Sequence, residues 1–363
     1  MRWEKLKVAD VCELAYGKRL TADSRIPGDY PVYGSAGEVG THTDYLIDGP
    51  GIIIGRKGSV GTVYYEKRNF FPIDTSYYVI PKEGNDLRFL YYKFQTLGLN
   101  KLNSDAAVPG LNRNVAYEQS SIYPPLPTQR RIASILSAYD DLIENNLKRI
   151  KLLEEKAFAS YKLLVKSEKL IEGKVGDLAD VKSGYAFKSR DWSDEGFPVI
   201  KIKNIGNNDI ELTDCSFIPE NIAETANKFK LNAGDLLIAM TGATVGKIGM
   251  MPKTETSYYL NQRAGIFKPK VETAELFLFC FFNEQSAKDA VESLASGAAQ
   301  PNISGSQLES IKLYYPKLDT VTEFGNSIKS HFELIWNLKE QNTKLREARD
   351  ILLPRLMNGE IEV

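Results

Sequence analysis

The sequence predicts an α+β chain in which two similar mixed α/β domains are each followed by one long helix. Three observations carry this. A mostly apolar heptad seam begins near residue 128, a second seam with the same spacing lies near the C-terminus, and the landmarks of residues 1–127 recur between residues 173 and 317. The resulting order is domain 1 (1–127), first long helix (128–172), domain 2 (173–317), and second long helix with a C-terminal tail (318–363).

In the first long helix Ile132, Leu136, Tyr139, Ile143, Asn146, Ile150, Leu153, Ala157, Ser160 and Leu164 recur at alternating steps of four and three. That period predicts a helix packed on another helix rather than on a globular core. Pro124, Pro125 and Pro127 precede it, Thr128 is the expected cap, and Gly173 lies just past its end. Adding 192 to each position gives Phe324, Ile328, His331, Ile335, Leu338, Asn342, Leu345, Arg349, Leu352 and Leu356. The simplest account is that the two helices pack on each other, with Asn146 and Asn342 as buried polar positions that fix register.

In domain 1, Gly51–Gly55 reads as a buried strand entering a glycine-rich turn, and Thr62–Tyr65 as its return strand. Tyr77–Ile80 is a further strand. Asp86–Leu97 reads as a helix with Leu87, Leu90, Tyr91 and Phe94 on one face. The loop from Val108 to Asn114 leads to the first long helix. Domain 2 repeats this plan: Lys7–Val11 aligns with Lys174–Leu178, Gly17 with Gly184, and Tyr30-Pro31-Val32 with Phe197-Pro198-Val199. Ile52–Gly61 resembles Leu236–Gly246, and Val108–Leu111 matches Gln300–Ile303. The landmarks match while the residues between them differ, as expected of one scaffold carrying two specificities.

The chain has 363 residues, is 43% apolar and carries a net charge of -1. Domain 1 has 15 Lys and Arg against 14 Asp and Glu, so any basic face on it must come from segregation of charge. Cys12, Cys215 and Cys280 are scattered and read as free thiols of a reducing cytosol. With no apolar leader and no 18-residue apolar run, a cytoplasmic protein that avoids membranes is expected. Of the two histidines, His331 falls on the helical seam and His42 in a polar loop, where it is expected to be solvated. No Cys/His spacing suits a metal. Thr241–Ile248 falls one residue short of a phosphate loop and has Ile248 where the hydroxyl is needed. The chain is therefore expected to direct chemistry done by partners, with no catalytic and no metal-binding residues of its own.

Pro125-Leu126-Pro127-Thr128-Gln129-Arg130-Arg131-Ile132-Ala133-Ser134-Ile135-Leu136, followed by Asp140-Asp141-Leu142-Ile143-Glu144, resembles the specificity subunit of type I restriction–modification systems. So do Ser183–Ser189 and Leu352–Gly359, and the match covers the whole chain. One departure is Asp319-Thr320-Val321-Thr322 where the first helix has Thr128-Gln129-Arg130-Arg131. The resemblance implies two target-recognition domains held apart by two long antiparallel helices in a coiled coil, with internal pseudo-two-fold symmetry. It further implies that each domain reads one half of a bipartite, asymmetric double-stranded DNA target. The helices would dock two methyltransferase subunits and, in systems that cleave, two endonuclease/translocase subunits. No cofactor would be bound by this chain; S-adenosylmethionine would belong to the methyltransferase, and ATP and magnesium to the endonuclease. The rival reading is a structural protein using the helices as an assembly rod.

DNA reading needs cations for phosphates and planar polar side chains for base edges. Domain 1 offers Lys18, Arg19, Arg56, Lys57, Ser59, Asn112, Arg113 and Asn114. Domain 2 offers Lys182, Tyr185, Lys188, Arg190, Lys201, Lys203, Asn204, Thr241, Thr244, Lys247, Gln262 and Arg263. The glycine turns at Gly58–Gly61 and Gly242–Gly246 would allow close backbone approach to a phosphate. Asp140, Asp141 and Glu144 fall on the charged outer face of the helices, either solvated or a dock for partners.

Overall fold

The structure, a computed structural model, describes residues 3–102, 110–206, 208–295 and 301–363. Val108, Pro109 and Gln300 of the predicted loops lie outside the described residues. The chain forms two compact units, Met1–Asn145 with Gln341–Val363, and Asn146–Glu340. The two long helices, Leu126–Ser167 and Leu318–Met357, each contribute one stretch to each unit.

The first helix begins two residues earlier than expected, at Leu126, and Thr128 is not the cap. The Pro125 carbonyl accepts the N–H groups of Thr128 (2.9 Å) and Gln129 (3.1 Å), and Pro127 sits in the first turn, where its missing N–H is no loss. In the first unit Ile132 and Leu136 share a core with Leu356 and Met357, so the start of one helix packs on the end of the other. In the second unit Ile150, Ala157 and Tyr161 share a core with Phe324, Ile328, Phe332, Ile335 and Leu338. Within each unit the helices are thus antiparallel. Tyr161 and Phe332 are buried one residue beyond the predicted Ser160 and His331, because a 3.6-residue helix drifts against a strict heptad. Asn146 and Asn342 are both buried, as the seam predicts.

The two globular domains share one strand framework. Domain 1 has a sheet ordered Cys12–Tyr16, Ser76–Pro81, Gly51–Gly55, Val63–Glu66; domain 2 has Ala179–Ser183, Ala264–Pro269, Leu236–Ala239, Ile248–Met250. A second sheet in each centres on Tyr30–Gly34 or Phe197–Ile200, with one antiparallel and one parallel neighbour. A two-stranded ribbon joins each domain's start to its end, Glu4–Lys7 with Ser120–Tyr123 and Ile171–Lys174 with Lys312–Tyr315. The turn after each first strand is closed alike: Lys7 N–H donates to Asp10 and Lys174 N–H to Asp177, both at 2.8 Å. Ile52, Ile53 and Ile54 are all buried because the central strand of the sheet is covered on both faces.

The helix Leu87–Thr96, capped by Asp86, buries Phe89, Leu90, Tyr92, Lys93 and Phe94 rather than a single stripe through Leu87 and Tyr91. It is covered on two sides, by its own sheet and by the long helices. Tyr92 donates its hydroxyl to Asp140, and Arg349 Nη1 donates to the other Asp140 oxygen at 2.6 Å. Lys67 bridges Asp141 (2.8 Å) and Glu144 (2.6 Å). Of the acids expected on the outer face, Asp140 is largely covered, while Asp141 and Glu144 stay exposed and tie domain 1 to the helix through Lys67. Gln129 is buried too, accepting from Asp86 N–H at 2.9 Å and donating to the Pro124 carbonyl at 3.0 Å. The second helix has Val321 there, fully buried in the apolar core, and its Thr322 carbonyl accepts from Thr273 at 3.1 Å. His42 is also corrected: it is buried, its Nδ1 accepts Ile26 N–H at 3.1 Å, and its ring meets Phe71 edge-on.

Lys93 is fully buried and donates to the Met357 carbonyl (2.8 Å) at the end of the second long helix, with Tyr123 at 5.4 Å as a cation–π partner. Burial pushes its pKa down to about 8 from 10.5. Below about pH 8 the folded state carries a desolvated charge; between there and 10.5 the folded amine is neutral while the unfolded one still binds its proton. Stability contributed by this group therefore rises with pH across that window. Thermal unfolding from pH 8 to pH 10 is expected to show this rise in the natural chain and a shallower or reversed slope in Lys93→Met.

Candidate nucleic-acid interface

In domain 1 the end of the first sheet strand, the turn after Gly51–Gly55 and the segment from Gly110 to Asn114 are brought together by backbone bonds. Lys57 pairs with Gly110, Leu111 N–H donates to the Arg56 carbonyl at 2.8 Å, and Tyr77 Oη donates to the Leu111 carbonyl at 2.9 Å. They enclose a groove of about 290 Å³ lined by Tyr16, Arg56, Lys57, Tyr77 and Gly110–Asn114. The Arg56 and Arg113 guanidiniums lie 5.2 and 4.9 Å from the Tyr16 ring centre. Arg56 is anchored by donating Nε (3.2 Å) and Nη2 (2.7 Å) to the Asp74 carbonyl, whereas Arg113 Nε is buried with no partner. Among the described residues, three cations and no carboxylate line the groove, in a domain whose charges nearly balance. This is the segregation the composition required.

The groove gathers the predicted Arg56, Lys57, Asn112, Arg113 and Asn114 but leaves out Lys18, Arg19 and Ser59. Lys18 and Arg19 are exposed beyond the sheet, and Ser59 lies at the hairpin tip with its carbonyl accepting from Thr62 Oγ1 at 3.0 Å. The oxygen of Asn112 is engaged, accepting Asn114 N–H (2.8 Å) and Val115 N–H (3.4 Å) as the cap of the helix Arg113–Tyr117. Gly61, at φ +70°, presses on the Leu99–Asn100 backbone, and Gly246, at φ +83°, on Val291. These two glycines serve hairpin packing rather than approach to a phosphate.

In domain 2 the predicted residues are spread over separate segments. Lys182 lies 3.7 Å from Asp180, Lys188 and Arg190 are exposed, and Lys203 pairs with Asp214 at 2.7 Å. Lys201 sits 3.6 Å over the Trp192 ring and donates to Ser216 at 2.7 Å; burial and Lys203 depress its pKa. Tyr185 packs on Phe187 and Phe229, and its carbonyl accepts Gln262 N–H at 2.9 Å, placing Tyr185 beside the exposed Gln262 and Arg263. Thr241, Thr244 and Lys247 occupy the turn before strand Ile248–Met250, with both threonine hydroxyls buried and unpartnered. A phosphate loop would run into a helix here, not a strand. Asn204 is corrected from base reader to structural residue. It is buried, accepts Lys201 N–H, and donates to the carbonyls of Glu211 (3.0 Å) and Asp214 (2.9 Å).

The family model described as "Type I restriction modification DNA specificity domain" matches residues 1–155 and again 168–346. The chain belongs to this type I specificity family. It is 26% identical to the type I restriction enzyme MjaVIII specificity subunit of Methanocaldococcus jannaschii, over 99% of this chain and 93% of that one. A putative type I specificity subunit of Mycoplasma pneumoniae is 24% identical, over 93% and 91%. The crystal structure of an S subunit of a type I system from M. genitalium shares the fold, with a TM-score of 0.70 at 19% identity over 98% of this chain and 96% of that one. As a type I specificity subunit, the chain is the DNA-recognition component of such a system.

Sequence reasoning missed Tyr16 in this specificity subunit and read Tyr77 as part of a strand; both line the groove. The signal that finds both is strand register, which sets Tyr16 opposite Tyr77. Among the described residues no group of His, Cys, Asp and Glu is placed to hold a metal ion, and no helix is long and apolar enough to cross a membrane. Replacing Asn204 by Ala removes a buried partner from two part-buried carbonyls and one N–H, so a loss of about 1–3 kcal/mol in unfolding free energy is expected. The exposed Lys247→Ala should leave stability within about 0.5 kcal/mol. Chemical denaturation of both variants checks the contrast.

Proposed function

We propose that this chain is a non-catalytic reader of a bipartite, asymmetric DNA target, with domain 1 on one half-site and domain 2 on the other. One observation carries the reading: both domains present the same strand framework, yet equivalent positions carry unrelated side chains. Leu111 N–H donates to the Arg56 carbonyl, and Ile303 N–H donates to the Met240 carbonyl at 2.9 Å. Tyr16 faces Tyr77 in register, as Ser183 faces Gly265. Arg113 follows the cap Asn112, and Gly305 follows the cap Ser304. A shared backbone with substituted tips is what two different half-sites demand of one scaffold.

On this reading the chain works in the cytoplasm and binds no cofactor. The long helices dock two methyltransferase subunits, which use S-adenosylmethionine. Where cleavage occurs, two endonuclease subunits using ATP and magnesium join them. Exchanging residues 173–317 for the corresponding domain of another specificity subunit is expected to change one half of the methylated motif and keep the other. A change in both halves, read by mapping methylated bases, contradicts the modular reading.

A further inference from the structure

We propose that the domain 1 groove receives a pair of hydrogen-bond acceptors on DNA, either the O6 and N7 edge of a guanine or two phosphate oxygens, and that domain 2 has no counterpart at that position. The inference rests on the DNA-recognition reading and names the chemistry of one half-site.

Two guanidiniums about 5 Å from one tyrosine ring repel each other unless an electron-rich group sits between or before them. Among the described residues, no carboxylate of the groove lining supplies it. Cation–π contact with the Tyr16 ring restrains both guanidiniums, so less side-chain freedom is lost when they bind. Arg56 is aimed by the Asp74 carbonyl, and Arg113 keeps its Nε unpartnered. A fixed guanidinium fork matches paired acceptors on guanine or on phosphate. Exposed Lys57 and Asn114 add a cation and an amide at the rim.

In domain 2 the same backbone positions carry Met240 for Arg56, Gly305 for Arg113, Ser183 for Tyr16 and Gly265 for Tyr77. No fork and no stacking ring remains. A Cβ on Gly265 would meet Met240 Sδ at 2.7 Å, and one on Gly305 the Val181 carbonyl oxygen at 2.3 Å, so packing closes the space. The nearest cations of domain 2, Lys182 beside Ser183 and Arg263, whose carbonyl accepts Met240 N–H at 3.0 Å, are exposed and occupy none of these four positions.

The test uses the chain assembled with its methyltransferase, the motif mapped from methylated genomic DNA, and duplexes carrying that motif or a scrambled one. Arg113→Gln is expected to weaken binding to the motif duplex roughly 10- to 100-fold. If the acceptors belong to guanine, the loss is confined to the motif duplex, and the methylated motif becomes degenerate at one base of one half-site. If they are phosphate oxygens, both duplexes lose affinity alike and the salt slope falls by about 1. Lys57→Gln and Asn114→Ala, both at exposed positions, should weaken binding in the same sense and carry the test if Arg113→Gln does not fold. Ser306→Ala, at the domain 2 position matching Asn114, should change nothing. Variants that assemble and melt as the natural chain does, yet keep its affinity, motif and salt slope, would overturn the inference. A natural complex that methylates no split motif would overturn the DNA-recognition reading itself, before any variant is made.

Discussion

The apolar seam between the two long helices is the constraint on which the rest depends. Neither helix belongs to one unit. The first gives its opening turns to the core around Ile132 and Leu356, and its closing turns to the core around Tyr161 and Phe324. Each globular domain is then fastened to its own stretch of the pair. Domain 1 uses charge: Tyr92 and Arg349 on Asp140, Lys67 on Asp141 and Glu144, and Lys93 on the Met357 carbonyl at the end of the second helix. Domain 2 uses mostly apolar contact, with Phe277 and Phe279 packed on Phe324 and Phe332. The exposed ion pairs among these add little individually. The half-buried Asp140 hub, with two donors on one carboxylate, is better placed to set geometry.

This division of labour explains how the chain supports two chemistries on one frame. Backbone hydrogen bonds set the position of each tip: the ribbon that closes the domain, the turn after the buried strand, and the pairing of Lys57 with Gly110 or Thr241 with Asn302. None of these depends on the side chain carried there. Tyr16, Arg56 and Arg113 can therefore stand where Ser183, Met240 and Gly305 stand in the other domain without disturbing the frame.

The helices and the repeat were legible because their signals are periodic. A seam of four and three survives many substitutions, and an offset of 192 carries one helix onto the other. The family resemblance lay in local strings such as Thr128-Gln129-Arg130-Arg131, and the described fold explains part of that string: Gln129 is a buried clamp, not a surface contact. What could not be read was partnership between residues distant in sequence. Asp140 looks solvent-facing until Tyr92 and Arg349 are brought to it. Asn204 looks like an adenine reader until the carbonyls of Glu211 and Asp214 take its amide. His42 sits in a polar string yet is covered by Phe71. Five domain 1 candidates did gather in one groove, because sheet register carries their segments there. The candidates of domain 2 were chosen by residue type alone and stand on separate segments.

The central claim is that this chain sets which DNA sequence its system modifies. Mapping methylated bases across the genome, in cells with this gene and in cells lacking it, tests that most directly. The account predicts a split asymmetric motif, methylated when the gene is present and unmethylated when it is deleted. The same methylation pattern in both, with the methyltransferase expressed and active, would contradict it.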